Sequence, residues 1–353
     1  MPIDKLVPND PRVESKYADL NGHRWHYLDA QPRQQPPRAT VLLIHGFPDT
    51  SHTWRHQTPL LLSLGLRCLA LDCMGYALTG PSNPITNLSA YTFKTHADAI
   101  AALAAHLRLP TLILGGHDWG GAVAYRTAQY YPQLITHLFS LATPYPHVTR
   151  SYRSLDQVVG ESLPNLGYQR QWGSEERVLE KCIGRDEGRL RKFLGAVYGG
   201  RGKGGRPLMS VSEGLDLAVL KGEEEVGGSG ILDDEELTHY THTFASQPLE
   251  GPCNWYRTRH LNHLDDQTLP SSTRNTILQP TLFVQALKDP VLRPKMSEGM
   301  ETVCPRLRRA EVEAGHWVAW EGGGVAVNGI LRAWFEEVVF LDFGGLGGGG
   351  AKL

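Results

Sequence analysis

Residues 111–121 read TLILGGHDWGG, and this stretch decides the fold. A short apolar run leads directly into Gly116, and a helical pattern rich in small residues begins at Gly120. Apolar runs that end in glycine are typical of strands buried on both faces of a parallel sheet. The two glycines permit a turn between strand and helix that is too tight for a Cβ atom. The stretch therefore predicts a sharp strand–turn–helix unit that projects Asp118 above the edge of a sheet.

Similar apolar runs lie on both sides of this unit and alternate with segments of helical spacing. The predicted strands are 20–29, 40–45, 67–72, 111–115, 135–142, 281–286 and 308–313. The predicted helices are 54–64, 93–107, 120–131 and 325–339. This alternation predicts an α/β protein with a mostly parallel, doubly wound sheet.

The alternation is interrupted from about residue 144 to residue 276, where the chain is polar, helical in spacing and broken by glycines. No apolar run of the buried-strand type occurs there, so we expect a helical cap inserted into one α/β core. The core is expected to comprise residues 1–145 and 276–343, the cap residues 146–275, and a flexible glycine-rich tail residues 344–353. The glycine-rich cap segment 199–230 could close over an entrance or form an exposed excursion, and we favour the excursion.

Composition excludes several classes of function. The chain has 353 residues, with 35 basic and 37 acidic side chains, so it has no electrostatic signature for nucleic acid or anionic membrane. The sequence contains no run of about 18 apolar residues, the length needed to span a bilayer. The polar N-terminal stretch does not have the pattern of a secretory signal. The cysteine count is odd and shows no C-x-x-C pair, which fits a reducing compartment. We expect no metal site.

Asp118 occupies the position at which many hydrolases carry a serine. A carboxylate needs no base to activate it, so it can attack an electrophilic carbon directly and form an ester. The alternative is an aspartate that only caps the following helix. The neighbouring motifs favour the catalytic interpretation.

The stretch HGFP at 45–48 follows a predicted buried strand. Gly46 allows the backbone to curl, so that the N–H of Phe47 can face Asp118. Together with the N–H of Trp119 it would form an oxyanion hole, in which each donor contributes about 10²–10³ in rate. The alternative is a simple turn at the end of a strand.

Two further strand ends carry an acid and a histidine, Asp289 after 281–286 and His316 after 308–313. An ester on Asp118 must be hydrolysed, and His316 could take a proton from water while Asp289 holds the imidazole in the required tautomer. Either residue alone would more often be a surface residue, but their joint position at strand ends favours a functional set.

Opening a strained ether leaves an alkoxide, which is a poor leaving group unless an acid is nearby. Tyrosine, with a pKa of about 10, is a suitable proton donor at neutral pH. Tyr168 and Tyr256 stand out among the tyrosines of the insertion because of their sequence context, LGYQ and NWYR.

Together these motifs resemble the soluble epoxide hydrolases of the α/β-hydrolase fold, in the style of the fungal enzymes. The matching stretches are HGFP at 45–48, GHDWGG at 116–121, YQ at 168–169, NWYR at 254–257, KDP at 288–290 and GHW at 315–317. NWYR is the most specific of these motifs, because it belongs to the cap of epoxide hydrolases, whereas HDWG also occurs in haloalkane dehalogenases. The order nucleophile, acid, histidine is the order that this fold requires.

The resemblance implies conversion of a small-molecule epoxide to a vicinal diol without a cofactor. The roles it implies are Asp118 as nucleophile, His316 as base, Asp289 as orienting acid, and Tyr168 and Tyr256 as donors to the epoxide oxygen. The residues expected to line the substrate pocket are Phe47, Trp119, Trp172 and Trp317. The sequence departs from the family at Ala77 and Leu78, which stiffen a loop and could alter the pocket rim.

Two other functions remain open at the level of sequence. A haloalkane dehalogenase would use Asp118 to displace halide, with Trp119 as one halide donor, but it has no use for two tyrosine hydroxyls. A non-catalytic ligand receptor on the same fold would keep the pocket without turnover.

The last three residues, Ala351-Lys352-Leu353, resemble the peroxisomal address of the S-K-L type. They predict a peroxisomal import receptor as a partner, and a protein that is cytoplasmic, peroxisomal or both.

Overall fold

Ten strands form the sheets of this protein, for which the computed structural model describes residues 4–80, 87–222, 224–247 and 249–345. In chain order the strands are β1 Glu14–Leu20, β2 His23–Ala30, β3 Thr40–Ile44, β4 Arg67–Leu71, β5 Leu112–His117, β6 Ile135–Leu141, β7 Met209–Ser210, β8 Gly214–Leu215, β9 Thr281–Ala286 and β10 Leu307–Val312.

Eight of these strands form one sheet in the order β1-β2-β4-β3-β5-β6-β9-β10. Strand β2 is antiparallel to both β1 and β4, and all the other pairings are parallel. The prediction of a mostly parallel α/β sheet is therefore confirmed. Every residue of β3, β5 and β9 is buried, as their largely apolar character predicts.

The predicted strand 20–29 corresponds to β2, but the sequence pattern did not predict β1 before it, and the two strands form a hairpin. Strands β1 and β2 pair in register from Glu14 with Asp29 to Leu20 with His23. Asn21 and Gly22 form the turn with φ angles of 52° and 82°. Two positive φ values match the twist of the flanking strands, and asparagine followed by glycine adopts them readily.

Thirteen α-helices accompany the strands in the described ranges. In the core they are α1 Gln57–Ser63, α2 Phe93–His106, α3 Trp119–Tyr130, α12 Val325–Trp334 and α13 Phe340–Gly345. In the insertion they are α4 Leu155–Glu161, α5 Gln169–Trp172, α6 Val178–Ile183, α7 Glu187–Val197, α8 Leu217–Lys221, α9 Asp234–Ala245, α10 Glu250–Asn254 and α11 Arg259–Asp266.

The C-terminal helical region is longer than predicted. A π-helical turn, Phe335–Val339, joins α12 to α13, and α13 continues to Gly345. Helix α13 therefore covers the first two residues of the predicted tail, and buried Phe335 and Val339 hold the preceding π-helical turn against the core. The rest of the predicted tail, 346–353, lies outside the described residues.

The insertion is predominantly helical, as predicted, but it also contains the short hairpin β7–β8, which the sequence pattern did not predict. The insertion lies over the loops at the carboxyl ends of the core strands. Three hydrogen bonds show this contact: Tyr198 Oη donates to the carbonyl of Pro48 at 2.6 Å, Tyr240 Oη to Asp49 at 2.6 Å and Trp255 Nε1 to the carbonyl of Met74 at 2.9 Å.

None of the described helices is long and apolar enough to cross a membrane.

Candidate active site

Asp118 lies at the tip of the turn between β5 and α3, with φ 51° and ψ −127°. A positive φ is rare for a residue other than glycine and indicates local strain. The turn closes because Gly116 and Gly120 meet backbone directly: a Cβ on Gly116 would lie 2.4 Å from the carbonyl oxygen of Gly120, and a Cβ on Gly120 would lie 2.1 Å from that of Ile44. The sharp turn predicted from the glycine spacing is therefore present.

The two carboxylate oxygens of Asp118 have different partners. The backbone N–H of Phe47 donates to Oδ2 at 2.9 Å, and the backbone N–H of Trp119 also bonds to this carboxylate. The two donors predicted to form an oxyanion hole thus converge on the side chain of Asp118 itself. Oδ1 faces the other way, 3.6 Å from Nε2 of His316.

His316 links Asp118 to Asp289. Its Nδ1 lies 2.8 Å from Oδ2 of Asp289, and Oδ1 of Asp289 accepts the backbone N–H groups of Val291 and Leu292 at 2.7 and 2.9 Å. Asp289 is only 3% exposed. The structure therefore brings the predicted nucleophile, histidine and acid into one connected chain.

The charges of Asp118, His316 and Asp289 stabilise one another. Burial raises the pKa of the Asp118 carboxyl above its usual value, although the charge of His316 and the N–H groups of Phe47 and Trp119 limit the rise. Burial opposes protonation of His316, but the carboxylates of Asp289, Asp118 and Glu321 outweigh it and raise the pKa of His316 to about 9. Burial of Asp289 is likewise outweighed by His316, so the pKa of Asp289 is lowered. At neutral pH, His316 is therefore a cation between carboxylates.

Tyr168 and Tyr256 come from separate parts of the insertion and meet above Asp118. Tyr168 directly precedes α5 and Tyr256 follows α10, and their ring centroids are 6.0 Å apart. Burial, followed by the nearby negative charge of Asp118, raises the pKa of the Tyr168 hydroxyl, and burial also raises that of Tyr256. Both phenols therefore stay protonated and remain hydrogen-bond donors at neutral pH.

A cavity of about 450 Å³ contains Asp118, His316 and both tyrosines. Of the four aromatic residues predicted to line the pocket, Phe47, Trp172 and Trp317 line this cavity.

Trp119 lines a second cavity, of about 480 Å³. That cavity shares Asp118 and Tyr168 with the first, so the nucleophile lies where two cavities adjoin.

The glycine-rich segment 199–230 contributes to the cavity wall, so the preference for an exposed excursion is wrong. Leu208 is 3% exposed and lines the 450 Å³ cavity with Met209 and Val211, and Ile231 continues the same wall. These apolar side chains lie between the glycines, and they turn inward because burial removes their surface from water.

Ala77 and Leu78 do not border either of these cavities. Both line a different cavity of about 540 Å³, between the N-terminal segment and α9. The expectation that they alter the rim of the substrate pocket is therefore wrong.

Glu321 is a residue of the site that the sequence motifs did not predict. Its Oε2 accepts the backbone N–H of Gly315 at 2.8 Å, next to His316, and it lines the same cavity. A Cβ on Gly315 would lie 2.9 Å from Oε1 of Glu321, so the glycine makes this approach possible. The only sequence signal was an acid five positions after the histidine.

Among the described residues, no group of three or more histidine, cysteine, aspartate or glutamate side chains is arranged to hold a metal ion.

Comparison with known proteins gives consistent matches. Residues 39–323 match the family described as alpha/beta hydrolase fold. The chain is 40% identical over 332 residues to "Epoxide hydrolase srdG" of Neurospora crassa, which covers 90% of this chain and 94% of that protein. It is 30% identical to "Bifunctional epoxide hydrolase 2" of Rattus norvegicus over 94% of its own length, but spans 57% of that relative.

Solved structures agree with this fold. The "Epoxide hydrolase from an endophytic Streptomyces" superposes with a TM-score of 0.76 at 26% identity, covering 92% of this chain and 96% of that one. The epoxide hydrolase VrEH1 from Vigna radiata superposes with a TM-score of 0.73 at 21% identity over 94% of this chain and 100% of that one, a likeness of fold alone.

Proposed function

The chain belongs to the epoxide hydrolases of the α/β-hydrolase family, and we propose that it converts an epoxide to a vicinal diol through a covalent ester on Asp118. One observation carries the mechanism. The N–H groups of Phe47 and Trp119 both bond to the Asp118 carboxylate, the former at Oδ2, while Oδ1 faces His316 in a cavity that two phenols also line.

In the first half of the reaction, Oδ1 of Asp118 attacks a carbon of the epoxide and the carbon–oxygen bond of the ring breaks. Oδ2 is the less suitable nucleophile because its lone pairs already accept the N–H of Phe47. Tyr168 and Tyr256 donate hydrogen bonds to the oxygen that leaves the carbon, and one of them gives it a proton. The product is a hydroxyalkyl ester of Asp118.

In the second half, ester formation removes the negative charge of Asp118, which is one of the charges that raise the pKa of His316. The pKa of His316 therefore falls, its proton passes to the tyrosinate that ring opening leaves behind, and the neutral histidine can then act as a base. Its Nε2 takes a proton from a water molecule, which attacks the ester carbonyl.

The charge that develops on Oδ2 of Asp118 is stabilised by the N–H groups of Phe47 and Trp119. Collapse of this intermediate expels the diol, which receives the proton from His316. Asp289 holds the imidazole throughout, and no cofactor takes part.

We propose that residues 146–275 act as a cap that supplies both phenols and closes the pocket. Its apolar wall at Leu208, Met209 and Ile231, together with Trp172 and Trp317, favours an apolar epoxide.

We also propose that the protein is cytoplasmic, peroxisomal or both. Peroxisomal import depends on the resemblance of Ala351-Lys352-Leu353 to an import signal, and these residues lie outside the described ranges. A fluorescent fusion without these three residues should lose peroxisomal import, and unchanged localisation would contradict the proposal.

The experiment that tests the function is a product assay with styrene oxide and, in parallel, a bromoalkane. We expect diol from the epoxide and no bromide release. Bromide without diol would indicate a dehalogenase, and neither product would indicate a non-catalytic receptor.

The role of the phenols is tested in the same assay by the double variant Tyr168→Phe/Tyr256→Phe, which should lower diol formation by about 10²–10⁴-fold. Tyr17→Phe, at an exposed tyrosine of β1, is the matched control and should be unchanged. A near-normal rate in the double variant would remove the tyrosines as acids.

A further inference from the structure

Ser15, His26 and Asp72 form a second hydrogen-bonded chain, separate from Asp118. Oγ of Ser15 lies 2.7 Å from Nε2 of His26, and Nδ1 of His26 lies 2.6 Å from Oδ2 of Asp72. The ring nitrogens are used in the order found in serine hydrolases, with the acid on Nδ1 and the hydroxyl on Nε2.

The sheet holds these three side chains together. His26 of β2 is paired with Tyr17 of β1, so Ser15, two positions before Tyr17, is its diagonal neighbour on the same face. Asp72 directly follows β4, and its backbone N–H donates to the carbonyl of His26 at 3.0 Å. The arrangement thus rests on two paired strands and on the residue that directly follows a third.

Asp72 is held as an anion in this chain. It is 1% exposed, and its second oxygen accepts the backbone N–H of Ser51 at 2.7 Å. Burial would raise the pKa of this carboxyl, but the hydrogen bond and charge of His26 outweigh burial, so the pKa is lowered. Asp72 accepts a hydrogen bond from Nδ1 of His26, which leaves Nε2 of the ring facing the Ser15 hydroxyl.

All three residues line the cavity of about 540 Å³ beneath α9, and Ser15 is exposed at its surface. His52 lines the same cavity, is 7% exposed, and its Nε2 finds no hydrogen-bond partner among the described residues. The rest of the wall includes apolar side chains, among them Val13 and Leu28. The cavity therefore offers a hydroxyl, a base and apolar surface to one ligand.

We propose that Ser15 is a second nucleophile of this protein, activated by His26 and Asp72, which accepts acyl groups from carboxylic esters. Oγ of Ser15 attacks the ester carbonyl while its proton passes to Nε2 of His26. The carbon–oxygen bond to the alcohol breaks, the alcohol takes the proton from His26, and an acyl-Ser15 ester remains.

The test uses the full chain carrying Asp118→Asn, so that the epoxide site cannot form an ester. The protein is mixed with p-nitrophenyl butyrate, the release of p-nitrophenol is followed, and the acylated peptide is located by mass spectrometry. We expect a stoichiometric burst and a butyryl group on Ser15. Adding Ser15→Ala should lower the acylation rate by about 10²-fold or more.

Ser246→Ala is the matched control, because Ser246 lines the same cavity but donates to the carbonyl of Thr243 outside the chain of three. It should keep the burst. The proposal would be overturned by a butyryl group on a residue other than Ser15, or by a p-nitrophenol burst that persists in Ser15→Ala. It would also be overturned if p-nitrophenol were released no faster than in buffer. Epoxide turnover by Ser15→Ala in the otherwise unaltered chain should be normal, so this result is independent of the function proposed for Asp118.

Discussion

The two oxygens of Asp118 illustrate what a single residue contributes to the proposed reaction. Oδ2 already occupies the position in which an oxyanion would be stabilised, and Oδ1 is left to attack carbon. The sequence could place an aspartate on the turn and name its two N–H donors. It could not assign the oxygens, because that depends on a side-chain rotation within a strained backbone.

His316→Gln should trap the ester, because glutamine cannot take the proton from water. After exposure to an epoxide, we expect the mass of the peptide containing Asp118 to increase by the mass of the substrate, and diol formation to fall by about 10²–10⁴-fold. Mass spectrometry of digested protein measures this. His106→Gln, at an exposed histidine on α2, should show neither effect, and an unmodified Asp118 peptide in His316→Gln would count against the ester.

Glu321→Gln should shift the pH dependence of ester hydrolysis. Glu321 is one of the charges that raise the pKa of His316, so removing it lowers that pKa. Hydrolysis requires neutral His316 and rises with pH, so its midpoint should move to lower pH. The measurement is the rate of decay of preformed ester as a function of pH.

Glutamine keeps an oxygen to accept the N–H of Gly315, whereas Glu321→Ala loses it and should also lower the maximal rate. An unchanged midpoint in Glu321→Gln would show that Glu321 only positions the loop.

At the scale of elements, the tight packing of β3, β5 and α3 sets the position of the nucleophile. Gly120→Ala would place a Cβ 2.1 Å from the carbonyl oxygen of Ile44, which must move. We expect the free energy of unfolding to fall by about 1–3 kcal/mol, and turnover to fall by up to about 10²-fold because Asp118 is displaced. Urea denaturation and the diol assay measure these effects.

Gly160→Ala is the matched control, because Gly160 lies in α4 with nothing within 4 Å of an added Cβ. Alanine there should raise the stability by about 0.5–1 kcal/mol. Equal effects of the two substitutions would contradict the packing argument.

Some elements of the fold can be predicted from sequence patterns and others cannot. Apolar runs identified the buried parallel strands, and glycine spacing identified the turn at Asp118, because both depend on local chemistry. The segment 199–230 reads as an exposed loop because glycines dominate its composition, whereas its few apolar side chains become buried only in the tertiary structure. Glu321 has no sequence motif of its own, because its contact with Gly315 depends on how the chain folds back after His316.

At the scale of the whole molecule, a buried ion pair joins the insertion to the core. Nε of Arg55 donates to Oε1 of Glu236 at 2.7 Å, and Arg55 is 1% exposed. Glu236→Gln would leave the guanidinium buried without this counter-charge, so we expect the free energy of unfolding to fall by about 3–5 kcal/mol. Urea denaturation is again the measurement.

Glu161→Gln removes the partner of Arg153 in an exposed pair of similar length and should change stability by less than about 1 kcal/mol. If both substitutions lowered the free energy of unfolding by the same small amount, the Arg55–Glu236 pair would not be what holds the insertion to the core.

The central claim is that Asp118 itself carries substrate carbon in each cycle. The most direct measurement is a single turnover with enzyme in excess over epoxide in water enriched in oxygen-18. Because water attacks the ester carbonyl, the heavy oxygen should appear in the side chain of Asp118, and the diol should carry an oxygen that came from Asp118. A diol that contains the heavy oxygen, with an unlabelled Asp118, would show that water attacks the epoxide directly and would contradict the account.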